Sequence, residues 1–188
     1  MERGSLHPQP EHAHASLTLG DPSQCDYDPL VEAFVIQAIL APYGPFVPSG
    51  LPIVSRTIAV REDQTLEQLH EALRLAFGWA DPHMYAFWMG SKWWDRDTTC
   101  YQTPYELDPD DDRIRSGRIP ISRVGLKKGT RMAYLFDFGD EWRLRLKVVD
   151  RWRIDGGESY PMLVDAEGVP PLQYAPLDED DEVGDDDL

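Results

Sequence analysis

The sequence predicts the α+β class, with one small domain in which an antiparallel sheet packs against a single main amphipathic helix. Hydrophobic residues make up 41% of the 188-residue chain, which is enough for one core. A capped apolar stripe predicts the helix, and runs rich in β-branched and aromatic residues predict the strands. These observations place the folded domain at residues 29–177, between two tails.

The helix is the clearest element of the sequence. Thr65 has the side chain of an N-cap, and Gln68 completes a capping box three residues later. Apolar residues then recur at helical spacing: Leu66, Leu69, Ala72, Leu73, Ala76 and Phe77. Gly78 can adopt the left-handed conformation that ends a helix. The sequence therefore predicts a helix over residues 65–77.

Strands are predicted on both sides of this helix. Asp28-Pro29 could also cap a helix, but the β-branched residues of 31–41 favour a buried strand there. The other predicted strands are residues 53–60, 83–89, 132–138 and 142–152. Residues 93–118 are predicted to be a long irregular connection, 122–128 one helical turn, and 170–174 an extended segment over the domain.

The stretch YLFDFGDEW, residues 134–142, is predicted to be a β-hairpin whose turn length decides which side chains are exposed. A two-residue turn at Gly139-Asp140 would pair Phe138 with Glu141. One face would then carry Tyr134, Phe136, Arg143 and Arg145. Aromatic and basic side chains together suit single-stranded nucleic acid.

A three-residue turn would instead pair Phe138 with Trp142. One apolar face would then contain Tyr134, Phe136, Phe138, Trp142, Leu144 and Leu146, with the arginines on the other face. Burial of one face fixes the register of a strand, so the hydrophobic pattern favours this second pairing.

The charge of the chain is unevenly distributed along its length. The net charge is −16, and residues 178–188 (DEDDEVGDDDL) carry eight acids and no base. Residues 113–153 hold twelve of the eighteen Lys and Arg side chains against four acids. Composition predicts disorder for residues 1–28 and for the acidic tail 178–188. The basic segment supplies a candidate polyanion-binding set: Tyr134, Phe136, Arg143, Arg145 and Lys147.

The sequence lacks the signals that mark several classes of protein. No apolar run approaches the ~20 residues that cross a bilayer, and no signal-peptide core is present, so we expect a cytoplasmic protein without membrane contact. Residues 137–139 spell the Asp-Phe-Gly triplet of protein kinases, but the glycine-rich loop and the His-Arg-Asp motif are missing. Neither Cys25 nor Cys100 lies in a nucleophile motif. We therefore predict no catalytic residue, no metal and no cofactor.

One group of residues is nevertheless a candidate functional cluster. His70, His83, Asp137 and Asp140 could supply mixed nitrogen and oxygen ligands to a metal, and Trp142 lies close to the aspartates in sequence. The favoured alternative is structural: a half-buried His70 on the helix, a His83 that hydrogen-bonds the turn, and an Asp137 that caps the hairpin.

The order of TLEQLHEALRLAFGW, HMYAFW and YLFDFGDEW resembles the plasmid pRiA4b ORF-3-like family, which includes passenger proteins of bacterial insertion sequences. The similarity covers residues 31–174 and includes the ending YPMLVDAEGVPPLQY. The resemblance implies a small α+β domain and a plasmid or mobile-element setting, and it implies no established activity. Many family members have further histidines where this chain has Tyr85 and Leu144.

The sequence therefore predicts a non-catalytic accessory or interaction domain with a protein partner. The first alternative is a nucleic-acid-binding module that uses residues 113–153 and is autoinhibited by the acidic tail. The second is a metal-dependent enzyme built on His70, His83, Asp137 and Asp140.

Overall fold

The computed structural model describes residues 31–44, 47–105, 107, 110–154 and 158–174. Within these ranges the chain forms one eight-stranded sheet and one α-helix. The strands are β1 (Val31–Leu40), β2 (Ser55–Arg61), β3 (Tyr85–Trp88), β4 (Cys100–Gln102), β5 (Ile114–Ser116), β6 (Arg131–Phe136), β7 (Trp142–Ile154) and β8 (Met162–Glu167). Helix α1 is Leu66–Ala76, and Ile121–Arg123 form a short 3₁₀ turn. The predicted tails 1–28 and 178–188 lie outside the described residues.

The sheet has the strand order β5-β4-β3-β6-β7-β1-β2-β8. Neighbouring strands are antiparallel except β4 and β5, which are parallel, so the prediction of an antiparallel sheet is wrong at this edge. Both of these strands lie within the stretch predicted to be irregular. They are three residues long and depend on their neighbours for pairing, which is why local sequence gives little sign of them.

Helix α1 begins and ends as the sequence predicts. The Thr65 side chain accepts a hydrogen bond from the backbone N–H of Gln68 at 3.2 Å, and the Gln68 side chain accepts one from the N–H of Thr65 at 2.9 Å. Phe77 caps the C-terminus, and Gly78 follows with a φ of +75°. The helix packs its fully buried leucines Leu66, Leu69 and Leu73 against one face of the sheet.

Five residues, 137–141, connect β6 and β7, so neither predicted turn length is right. Phe136 pairs with Trp142 and Leu135 pairs with Arg143. Asp137 lengthens the turn because its backbone is left-handed, at a φ of +60°, and its carboxylate accepts hydrogen bonds from the next turn residues. Phe138 therefore leaves the strand and lies on the other face of the sheet, beside Trp94.

The hairpin nevertheless has the predicted apolar side chains on one face and basic side chains on the other. The apolar face, with Tyr134, Phe136, Trp142, Leu144 and Leu146, is buried in the main core under α1. The opposite face of β3 and β6 carries a smaller cluster that includes Trp88, Ala133 and Leu135, and Trp93 packs over it. Arg145 and Lys147 of β7 stay exposed on that same opposite face. Among the described residues, no helix is both long and apolar enough to cross a membrane.

Candidate functional site

His83 and Asp137 meet at the start of β3 and the end of β6. The backbone N–H of Asp137 donates to the carbonyl of Met84 at 2.9 Å, which places the aspartate beside His83. Its Oδ2 lies 3.4 Å from His83 Nδ1, while its Oδ1 accepts from the N–H groups of Gly139 (2.9 Å) and Asp140 (3.4 Å). One carboxylate oxygen therefore holds the turn and the other orients the histidine.

The end of the described chain lies on the other side of this histidine. Tyr174 Oη is 2.8 Å from His83 Nε2. The neighbouring Gln173 is buried, and its side-chain amide bonds both backbone groups of Asp81: the Asp81 N–H donates at 3.0 Å, and Gln173 Nε2 donates to the Asp81 carbonyl at 3.3 Å. A segment predicted to lie extended over the domain is thus attached at its end by two side chains.

These contacts favour one tautomer of His83. With the proton on Nδ1, which faces the Asp137 carboxylate, Nε2 accepts a hydrogen bond from the Tyr174 hydroxyl. Burial raises the pKa of the Tyr174 phenol, and the nearby Asp81, Asp137 and Asp140 raise it further, so the phenol stays protonated and donates. Burial, followed by the negative charge of Asp137, also raises the pKa of Asp140, against the opposing effect of His83. The arrangement joins the C-terminal segment to the hairpin turn.

His70 and Trp142 do not join this group. His70 is buried in the core, where its ring stacks on Tyr85 with centroids 3.9 Å apart and its Nδ1 lies 2.9 Å from Tyr134 Oη. Trp142 is buried against Trp79. The structure therefore separates the five-residue candidate cluster into a group at the hairpin turn (His83, Asp137 and Asp140) and two core residues. Across the part of the chain that the structure describes, no three His, Cys, Asp or Glu side chains are grouped to hold a metal ion.

A second candidate site lies on the open face of the sheet. It is a cavity of about 220 Å³, called here the basic groove, and it is lined by Gln37, Ile39, Ser91, Arg131, Arg145 and Lys147, with Met132 and Leu146 beneath them. Three of the lining side chains are cations on neighbouring strands. Lys147 pairs directly with Arg131 across β6 and β7, and Arg145 precedes it by two residues on the same face.

The cations of the basic groove have no acidic partner within the part of the chain that the structure describes. Like charges directly opposite each other in a sheet are destabilising. Among the described residues, every ion pair involves other side chains, so no carboxylate compensates Arg131, Arg145 or Lys147. Arg143 differs, because it is ion-paired with Glu141 and its guanidinium lies 3.3 Å above the ring of Tyr43.

Trp93 lies beside the basic groove, next to its lining residue Arg145. Its indole N–H donates to the backbone carbonyl of Tyr134 at 2.9 Å, which fixes the ring on the sheet. The guanidinium groups of Arg143 and Arg145 each lie 5.3 Å from its ring centre. Trp93 was not among the predicted site residues, because it lies in a polar stretch predicted to be irregular. The Trp93-Trp94 pair in that stretch was nevertheless a signal for a contact surface.

The candidate polyanion-binding set is corrected in two positions. Tyr134 and Phe136 are fully buried under α1, so neither can offer a ring face to a nucleotide base. The physical reason is the register of the hairpin, which turns both rings into the core and turns the basic side chains of β7 outward. Arg143, Arg145 and Lys147 do lie on the outer face.

Three comparisons with known proteins bear on identity. A family model described as plasmid pRiA4b ORF-3-like protein matches residues 49–173. The uncharacterized protein y4hQ of Sinorhizobium fredii (strain NBRC 101917 / NGR234) is 34% identical over 123 residues, a match that covers 62% of this chain and 56% of that protein. This chain therefore matches little more than half of that relative's length.

A crystal structure of MM3350, a protein of unknown function from Methanosarcina mazei Go1, is similar with a TM-score of 0.58 at 20% identity. The similarity covers 75% of this chain and 74% of that one, and it is a similarity of fold. The family model, by contrast, rests on the sequence and spans more than half of the chain. This protein therefore belongs to the plasmid pRiA4b ORF-3-like family.

Proposed function

We propose that this protein is a non-catalytic binding module whose basic groove takes single-stranded nucleic acid, in the plasmid or mobile-element setting that the family description suggests. The observation that carries the proposal is the set of uncompensated cations Arg131, Arg145 and Lys147 on neighbouring strands. Neighbouring cations repel each other when no carboxylate lies between them, and a bound anion relieves that repulsion. The phosphate backbone of a nucleic acid supplies several such negative charges in a row.

The aromatic side chain beside these cations supports a nucleic acid over an acidic protein. Single-stranded nucleic acid binds where a basic groove lies next to rings on which bases can stack. Trp93 is partly exposed beside the groove, next to Arg145, and its hydrogen bond to the sheet holds it in place. It supplies the ring that Tyr134 and Phe136 cannot.

The groups around His83 support catalysis less well. One carboxylate oxygen of Asp137 accepts a hydrogen bond from the turn, and the other lies beside Nδ1 of His83. The Tyr174 hydroxyl is hydrogen-bonded to Nε2 of the same ring. The Asp137 carboxylate and both ring nitrogens of His83 are thus engaged within the protein. We propose a structural role for this cluster, which leaves the basic groove as the binding surface.

The test is a binding titration of a labelled single-stranded DNA dodecamer, read by fluorescence anisotropy at several salt concentrations. We expect the triple variant Arg131→Ala, Arg145→Ala and Lys147→Ala to bind more weakly than the wild type. Each phosphate contact contributes about 0.7 to the slope of log K against log salt for single strands, so losing three contacts flattens the slope by about 2.

A matched control removes three exposed arginines from other parts of the domain: Arg115→Ala, Arg123→Ala and Arg153→Ala. This variant has the same net charge as the groove variant and should bind nearly as the wild type does. Equal losses in both variants would show attraction to overall charge and contradict a groove site. If the wild type binds polyglutamate and not the dodecamer, the ligand is an acidic protein and the nucleic-acid assignment is wrong.

A further inference from the structure

The basic groove contains an uncharged amide as well as cations. Gln37 lines the cavity from β1, and among the described residues its side chain has no hydrogen-bond partner. Ser91 lines the same cavity. A half-buried amide keeps a donor and an acceptor side by side, and that pair is available to a ligand.

Strand register sets this amide against the cations. Gln37 of β1 pairs with Lys147 of β7, and Lys147 pairs with Arg131 of β6, so the three side chains form one row across the sheet. The next row on the same face contains Ile39 and Arg145, two residues or about 7 Å along the strands. The amide and the apolar Ile39 therefore lie at one end of these rows, with the cations beyond them.

The size of the cavity limits what can enter it. At about 220 Å³ it is smaller than the roughly 300–1,000 Å³ of sites that hold drug-sized molecules. It suits one flat ring system resting on Ile39, with a charged backbone passing over Arg145 and Lys147 outside. A single base of a nucleic-acid strand has this shape.

We propose that the cavity is a base-reading subsite in which the Gln37 amide recognises adenine, an inference that rests on the proposed function. Its oxygen accepts from the adenine 6-amino group, and its NH₂ donates to a ring nitrogen, the bidentate pattern by which glutamine reads adenine. Adenine presents this neighbouring donor and acceptor on both its Watson–Crick and its Hoogsteen edge, and an unpaired strand leaves both edges open. Guanine presents only acceptors on its Hoogsteen edge, and the pyrimidines present such a pair in a smaller ring.

The experiment is competition by pentanucleotides, which are too short to slide along the groove, against the labelled dodecamer. The competitors are all-thymine, thymine with one central adenine, and thymine with one central purine that lacks the 6-amino group. Because a bidentate contact discriminates by about fivefold or more, the adenine pentamer should displace the dodecamer at about fivefold lower concentration than the other two. Gln37→Leu, which keeps the size of the side chain, should remove that difference between the pentamers.

The matched control is Thr57→Val, because Thr57 pairs with Gln37 on the next strand and its change also removes a polar group from this face. This variant should keep the preference for adenine. Equal displacement by all three pentamers, or a preference that survives Gln37→Leu, overturns the subsite and leaves the proposed function standing. Failure of the wild type to bind the dodecamer overturns the proposed function and the subsite with it.

Discussion

At the scale of single residues, His70 shows what burial does to an ionisable group. Its ring lies between Tyr85 and the core, and the Tyr134 hydroxyl is its buried hydrogen-bond partner. Burial lowers the pKa of His70 from its ordinary value of 6.5 to about 4, with Glu71 opposing the shift and Arg74 adding to it. The histidine is therefore neutral at pH 7, and its ring packs as part of the core.

This burial predicts a loss of stability in mild acid. The unfolded chain protonates His70 near pH 6.5 and the folded chain only near pH 4, so the unfolded state binds more protons between these values. Stability is complete above about pH 6.5 and falls as the pH drops toward 4, by up to ~3 kcal/mol for this residue. The measurement is the free energy of unfolding by urea at several pH values.

The variant that tests it is His70→Phe, which keeps an aromatic ring and removes the titration. Its free energy of unfolding should depend less steeply on pH between 4 and 6.5, whatever its absolute stability. An identical slope for His70→Phe and the wild type would show that His70 takes no part in acid unfolding.

At the scale of elements, helix α1 is fixed at both ends by contacts of different origin. Its N-terminus is held by the local capping box of Thr65 and Gln68. Its C-terminus is held by the buried Arg56 of β2, whose Nε donates to the carbonyl of Ala76 at 2.8 Å while its guanidinium lies over the ring of Phe77. The arginine satisfies one of the carbonyls that a helix end leaves open.

The leucines of α1 provide a test of its packing. Leu69 is fully buried, and Leu75 on the same helix is 69% exposed. Leu69→Ala should lower the free energy of unfolding by about 2–5 kcal/mol, because it removes buried methyl groups and leaves a cavity. Leu75→Ala keeps or slightly improves helix propensity and should cost far less. Chemical denaturation measures both, and a loss well below 1 kcal/mol for Leu69→Ala would contradict its place in the core.

The end of the described chain offers a second test at this scale. Gln173→Leu keeps the volume of the side chain and leaves the N–H and C=O of Asp81 without their amide partner. We expect a loss of about 1–3 kcal/mol and faster hydrogen exchange at the Asp81 amide. Leu172→Ala changes a neighbouring side chain that is 67% exposed and should alter neither quantity. Unchanged exchange in Gln173→Leu would mean that this segment is held by other contacts.

At the scale of the whole molecule, the cations differ in whether they have an acidic partner. Among the described residues, no carboxylate pairs with the cations of the basic groove, whereas the cations at 61, 74, 113, 118, 128 and 151 pair with carboxylates of the domain itself. The acidic tail 178–188 lies outside the described residues and carries eight of the chain's acids. A tethered polyanion is a competitor for any groove that binds polyanions.

Truncation after Leu177 should therefore raise the affinity of the groove for single-stranded DNA. Tethering gives the tail an effective concentration of about millimolar, and each exposed ion pair contributes ~0.2–1 kcal/mol, so the competition should be strongest at low salt. Full-length and truncated proteins are compared in the dodecamer titration at two salt concentrations. Equal affinities at low salt would show that the tail does not compete for the groove.

The sequence by itself determined the features whose physical cause is local. The capping box, the apolar stripe and the left-handed Gly78 define α1, and runs rich in β-branched and aromatic residues predict β1, β2, β6 and β7. The family was also recognisable from the order of its motifs. The short strands β4, β5 and β8 were not predicted, because three to six residues become a strand only when a neighbour pairs with them.

Only the tertiary structure decided what the candidate residues do. The turn at Asp137 turned Tyr134 and Phe136 into the core and left Arg145 and Lys147 in solvent. The contact between Gln173 and Asp81 joins residues 92 positions apart, and the row from Gln37 to Arg131 joins three strands. Such contacts depend on strand order and on the packing of a shared core, and these are properties of the whole chain that no local pattern encodes.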